Sequence, residues 1–187
     1  MTDTRAVQTR LELAVLAAEE AGRGTLRWFR NVDLTADLKG DGSPVTRADR
    51  EAEELIRRRI GEAFPTDGVI GEEFGTSAGT SGFTWVLDPI DGTKAFVRGI
   101  PTFGNLVAVL RGERTVIGVA NFPALDEIVS AAEGSGAHWK TGREGTRPAR
   151  VSLTPDLGQA VIEVASPSVF LREGTWSKYE ELARRGA

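Results

Sequence analysis

Cysteine is absent from the 187 residues, and histidine, methionine and tyrosine occur once each. The first absence excludes disulfides, thiolate zinc sites and cysteine nucleophiles. The lone His138 excludes a two-histidine metal site or a phosphohistidine relay within one chain. No apolar run reaches membrane-spanning length, and the opening Met1-Thr-Asp-Thr-Arg lacks the apolar core of a secretory signal, so a cytoplasmic protein with no membrane partner is expected. A concentrated basic block is missing too. With 23 Lys and Arg against 27 Asp and Glu the net charge is −4, which argues against nucleic acid as a partner. The triplet Arg57-Arg58-Arg59 falls in a helical pattern and reads as a solvated face. At 40% hydrophobic and 27% charged, the chain has the composition of a globular protein of one domain, or one and a fraction. Any chemistry must rest on carboxylates and hydroxyls.

What is present falls into three stretches. Val7, Leu11, Ala14, Ala18, Ala21, Thr25 and Trp28 recur at helical spacing and predict a long first helix, weakened at its far end by Gly22 and Gly24. Lys39 to Pro44 reads as a loop or tight hairpin. Thr46-Arg-Ala-Asp49 then opens a second helix that buries Ala52, Leu55 or Ile56, Ile60 and Ala63 and stops at Phe64-Pro65. From Val69 the period becomes strand-like, with candidates at 69–70, 83–87, 105–110, 115–120, 127–132, 137–140 and 150–153. Short links such as Arg111-Gly-Glu-Arg114 predict an antiparallel meander. The expected fold is therefore α+β, two helices packed on a large antiparallel sheet, over residues 1–155. Residues 156–187, with a strand at 160–165 and a helix at 175–185, read as the start of a second, α/β domain. A lone strand and helix cannot build a core, so this end is expected to pack poorly and to promote self-association into a homo-oligomer or aggregate.

The chemistry concentrates in Trp85-Val-Leu-Asp88-Pro-Ile-Asp91-Gly-Thr93. An apolar strand delivers Asp88, Pro89 ends the ladder, and Asp91-Gly92-Thr93 turns the chain into a short helix. Two carboxylates at this spacing repel when held together, and a hard divalent cation such as magnesium relieves the conflict. The N–H groups of Gly92 and Thr93 are then placed for a phosphate oxygen. The same residues also make ordinary turns and caps, so both readings stand at this level. Gly71-Glu72-Glu73 is a second acidic strand end, equally readable as a charged turn. Asp49 fits both a capping box with Thr46 and a site role. His138 has no partner in sequence and reads as structural. The spacing Asp88-x-x-Asp91 differs from the Asp-x-Asp that an aspartyl-nucleophile phosphatase of the haloacid-dehalogenase type would use.

Gly71-Glu72-Glu73, the Asp88–Thr93 motif and the upstream Ser43-Pro-Val-Thr46-Arg-Ala-Asp49 together resemble the inositol monophosphatase superfamily of magnesium-dependent, lithium-sensitive phosphomonoesterases. Thr93-Lys-Ala-Phe96-Val-Arg98-Gly-Ile-Pro101-Thr-Phe103-Gly and Phe122-Pro-Ala-Leu-Asp126-Glu are similar to its histidinol-phosphate phosphatase branch. The resemblance implies the N-terminal half of a layered α/β/α/β/α sandwich. It also implies Mg2+ bound by Glu72, Asp88, Asp91 and the Ile90 carbonyl, water activation by Asp49 and Thr93, and phosphate held by Gly92 and Thr93. The implied reaction is hydrolysis of a small phosphorylated metabolite, histidinol phosphate or an inositol phosphate. Members of the superfamily carry a further metal-binding aspartate in their C-terminal domain that these residues do not include. The alternative is therefore a catalytically inactive metal- and phosphate-binding piece, and little turnover is expected from this chain alone.

Overall fold

The computed structural model describes residues 3–40, 42, 44–142, 144–161, 164 and 167–185. The chain divides into two compact units, Met1–Ala149 and Arg150–Ala187.

In the first unit, helix α1 (Asp3–Leu26) is followed by a two-stranded hairpin, β1 (Ala36–Leu38) and β2 (Pro44–Thr46), and by helix α2 (Arg47–Ala63). Then come β3 (Gly68–Gly71), β4 (Gly75–Ser77), β5 (Phe83–Asp91), the short helix α3 (Thr93–Phe96), β6 (Gly104–Arg111), β7 (Arg114–Phe122), β8 (Glu127–Ala132), β9 (Gly136–Thr141) and β10 (Gly145–Pro148). The eight strands from β3 onward form one sheet in the order β10-β9-β8-β7-β6-β5-β3-β4. All its pairs are antiparallel except β3 with β5, which run parallel because the β4 hairpin returns the chain before β5 begins. The fold is thus α+β, with α1 and α2 packed on one face of the sheet.

Period-two alternation decides that face. Trp85, Leu87, Val107, Val109, Ile117, Val119 and Ile128 are buried and meet Ala14, Ala17, Ala18 and Ala21 of α1 and Ala52, Ile56 and Ile60 of α2. The small residues of α1 let its backbone lie close to the strands. Gly22 contributes to this: a Cβ there would stand 2.3 Å from Asn121 Nδ2, and the helix continues through Gly22 and Gly24 to Leu26, short of Trp28.

The core is pinned at one end by a buried ion pair. Arg10 donates to both oxygens of Asp67 at 2.7 and 2.8 Å, and Asp67 also accepts from Ser81 and from the Trp85 indole. The Arg10 guanidinium lies over the rings of Phe64 and Phe83, 4.3 and 3.9 Å from their centroids.

Several expectations are corrected. Residues 150–153 form no strand; β10 lies earlier, and Val151 and Leu153 are 91% and 97% exposed, so their alternation has no partner to pack against. Ala63, the last residue of α2, is exposed, and Glu53 takes a buried place on the helix. Arg57 and Arg59 are not simply solvated: Arg57 pairs with Glu53, and Arg59 with Glu20 of α1. Strand β5 continues past Pro89, because a bulge sets three steps from Asp88 to Asp91 against two from Leu106 to Gly104.

The second unit carries a 3-10 turn (Leu157–Gln159) and helices α4 (Ser168–Arg172) and α5 (Trp176–Arg185), with Tyr179 in ring contact with Phe170 and Trp176. Of the strand expected at 160–165, Ala160, Val161 and Val164 lie in no strand, and 162, 163 and 165 fall outside the described residues. Among the described residues no helix is long and apolar enough to cross a membrane.

Candidate functional site

Three chain segments meet at one end of the sheet: the first turn of α2, the turn after β3, and the bulged end of β5. Thr46 caps α2, donating from its backbone N–H and its hydroxyl to Asp49 Oδ2 at 2.8 and 2.6 Å and accepting from the Ala48 N–H. The other oxygen, Asp49 Oδ1, stands 3.4 Å from the Thr93 hydroxyl. The capping role of Asp49 is therefore carried by one oxygen, and the other faces Thr93. Burial pushes the Asp49 carboxyl above its ordinary range, and the Thr46 hydrogen bonds only partly offset this.

The bulge in β5 turns the Ile90 side chain into a small cluster with Ala48, Phe96 and Phe103. That anchor fixes the neighbouring peptide, and the Ile90 carbonyl accepts from the Thr93 hydroxyl at 3.0 Å. Asn105, fully buried, donates to the Pro89 carbonyl at 2.6 Å, and Asn121 links Asn105 Oδ1 to the Ala18 carbonyl of α1. Gly92, at φ +80°, takes the left-handed turn that starts α3.

Asp88 is the electrostatic centre of the site. Burial, then Glu72, Asp91 and Asp49, raise its carboxyl to about 7. Its Oδ1 is buried without a hydrogen-bond partner. Such an atom is costly unless something electropositive meets it. Glu72 and Glu73 share the Lys39 ammonium at 2.5 and 2.7 Å. Burial alone would lower Lys39, but these two hydrogen bonds outweigh it and raise the amine well above its usual value. Glu73 is shifted upward by burial against the pull of Lys39.

Glu72, Asp88, Asp91, Asp49, Ile90 and Thr93 are thus neighbours. Among the described residues, however, no three His, Asp or Glu side chains form a ready-made metal-binding group. The reason is visible: Glu72 turns to Lys39, and Asp91 is exposed. The donor set is nevertheless all oxygen, and the orphaned Asp88 Oδ1 fits a hard divalent cation. Sequence reasoning passed over Lys39, Glu53 and Asn105. Of these only Glu53 leaves a signal, a charge four residues after Asp49 on the face that carries Ala52 and Ile56.

The pattern of the inositol monophosphatase family matches residues 6–186. A histidinol-phosphatase of Chlorobaculum parvum is 47% identical over 127 residues, 68% of this chain and 49% of that protein. The histidinol-phosphatase of Mycobacterium tuberculosis is 40% identical over 171 residues, covering 90% of this chain and 65% of that one. A solved inositol monophosphatase from Zymomonas mobilis superposes with a TM-score of 0.77 at 33% identity, over 96% of this chain and 67% of its own. The matched stretches thus span about half and about two thirds of the length of the two curated relatives. On the matched pattern, the shared fold and these identities, the chain belongs to the inositol monophosphatase family.

Proposed function

We propose that the first unit is the metal- and phosphate-handling part of a magnesium-dependent phosphomonoesterase whose substrate is histidinol phosphate. The observation that supports this most directly is the orphaned Asp88 oxygen, set among Glu72, Asp91 and Asp49 in an otherwise well-satisfied region. Glu72, Asp88, Asp91 and the Ile90 carbonyl would hold Mg2+. When bound, magnesium supplies a Lewis acid that offsets phosphate charge and lowers the pKa of water.

The remaining steps belong to the chain itself. Thr93 has one hydroxyl proton and two acceptors beside it, Ile90 O and Asp49 Oδ1. With that proton directed to Asp49, the Thr93 oxygen accepts from a water and orients it for attack on phosphorus, while the bond from phosphorus to the alcohol oxygen breaks and that oxygen leaves with a proton from solvent. The raised affinity of Asp49 for a proton makes it an effective base for this short relay. The N–H groups of Gly92 and Thr93, at the start of α3, would donate to the phosphate oxygens. Asn105 holds the Pro89 peptide so that the turn keeps its shape.

The histidinol-phosphatase identities of 47% and 40% support the choice of substrate. The Zymomonas structure supports a second reading, an inositol phosphate. The deciding experiment measures phosphate release from histidinol phosphate and inositol 1-phosphate, with and without Mg2+. It uses this chain alone and joined to the remaining C-terminal length of its relatives. Magnesium-dependent release that favours histidinol phosphate in the joined form is expected. Preference for inositol 1-phosphate would overturn the substrate, and turnover undiminished by a chelator would overturn the metal.

A further inference from the structure

Glu53 is fully buried, and no step above uses it. It lies on α2 one turn after Asp49. Its Oε2 accepts the Glu73 N–H at 2.7 Å, and its Oε1 accepts the Phe74 N–H at 3.3 Å and Arg57 Nε at 2.7 Å. The Arg57 guanidinium continues to the Gly75 carbonyl and to Ser77 Oγ. Gly71 closes the other side, where a Cβ would stand 1.9 Å from Glu53 Oε1. Every residue from 71 to 75 except Glu72 is therefore held, through its backbone or by close approach, by the Glu53–Arg57 pair. Glu72 itself is tied through its N–H to the Leu87 carbonyl, beside Asp88.

We infer that Glu53 is a positioning residue for the metal site: α2 presents Asp49 from its first turn and, one turn later, uses the Glu53 carboxylate to fix the turn that carries Glu72. The inference rests on the metal reading proposed above. Its geometry separates it from a buried ion pair that serves packing alone. Such a pair would be satisfied by Arg57, whereas both Glu53 oxygens are spent on consecutive backbone N–H groups of the acidic turn. Charge-assisted bonds of this kind are strong and directional. Groups that orient metal ligands from outside the ligand set commonly change metal affinity by ~10- to 100-fold when removed.

Glu53→Gln tests this because an amide has one acceptor oxygen. Whichever way it turns, its NH2 meets an N–H of the turn or the Arg57 guanidinium. Two measurements on the 187-residue chain are compared with wild type. The first is amide hydrogen exchange at Glu73 and Phe74 relative to Val107 and Val109 in β6. The second is calorimetric titration with Mg2+. The expected result is selective loss of protection at Glu73 and Phe74, about tenfold or more beyond any change in β6, together with Mg2+ affinity about tenfold weaker. Should Glu53→Gln fail to fold, Arg57→Ala leaves the carboxylate in place and removes one tie, and the same two differences are expected in smaller size. Protection falling equally in the turn and in β6, with unchanged Mg2+ affinity, would reduce Glu53 to a stability role and overturn the inference while leaving the proposed function standing. No Mg2+ binding by the wild-type chain would instead overturn the metal reading, and this inference with it, whatever the exchange data show.

Discussion

The Thr93 hydroxyl stands 3.4 Å from Asp49 Oδ1, while Oδ2 of the same carboxylate closes the cap of α2 at Thr46. One carboxylate thus joins the start of α2 to Thr93 at the start of α3, so the cap of the helix and the position of Thr93 cannot vary independently.

Charged ligands and the hydroxyl should separate in a titration. Asp88→Asn and Asp91→Asn remove charge from the cluster and are expected to weaken Mg2+ binding by about tenfold or more. Thr93→Ala leaves every carboxylate in place, so metal affinity is expected to hold while turnover of an active, extended form falls by ~100-fold. Calorimetry on the three variants, beside phosphate-release rates, checks both. Equal loss of metal binding in all three would assign Thr93 to the turn alone.

Asp88 makes the metal-free chain respond to pH in a defined direction. Its carboxyl is raised from 3.8 to about 7, so across that window the folded state holds more proton than the unfolded chain. This group's contribution to stability is complete below pH 3.8 and is lost as the pH rises to about 7. Mg2+ competes with that proton, so its binding at neutral pH should release protons. Urea midpoints across the pH window, with chelator and with Mg2+, test this: the fall with rising pH should shrink when the metal is present.

The Arg10–Asp67 pair should carry stability without touching the site. Its carboxylate is held below its ordinary range by Arg10, Ser81 and Trp85 despite the opposing effect of burial. Asp67→Asn strands a guanidinium between Phe64 and Phe83, and a loss of about 3 kcal/mol is expected. Denaturant unfolding measures it. Mg2+ affinity at a temperature where both forms are folded should not change.

Two glycines on one helix should respond with opposite sign. Gly22→Ala drives a methyl group against Asn121 and Asn105, and a cost of about 2 kcal/mol is expected. At Gly24 the nearest atom to a Cβ is the end of the Arg27 side chain, 3.6 Å away. Gly24→Ala should therefore stabilise by ~1 kcal/mol through helix propensity alone. Thermal unfolding of the two variants side by side decides it.

The sequence by itself determined most elements of the first unit and which acidic residues are grouped. The helical recurrence from Val7 to Trp28, which α1 follows as far as Leu26, the Thr46–Asp49 cap and the hairpin-spaced strands of the first unit are local patterns, each set by neighbours within a turn or a pleat. The acidic motifs were legible for the same reason: Asp88, Asp91 and Gly92 lie in one short stretch, where their spacing alone marks a turn. Only tertiary structure decided what those residues meet. The bulge at Pro89 depends on β6, the parallel pairing of β3 with β5 on the β4 return, and the need for glycine at positions 22 and 71 on Asn121 and Glu53 arriving from elsewhere in the chain. Lys39 between Glu72 and Glu73, and Glu53 beneath their turn, act over separations of 20 to 34 residues. A sequence records which charges exist. Burial and long-range packing decide which are paired and which, like Asp88 Oδ1, are buried without a hydrogen-bond partner.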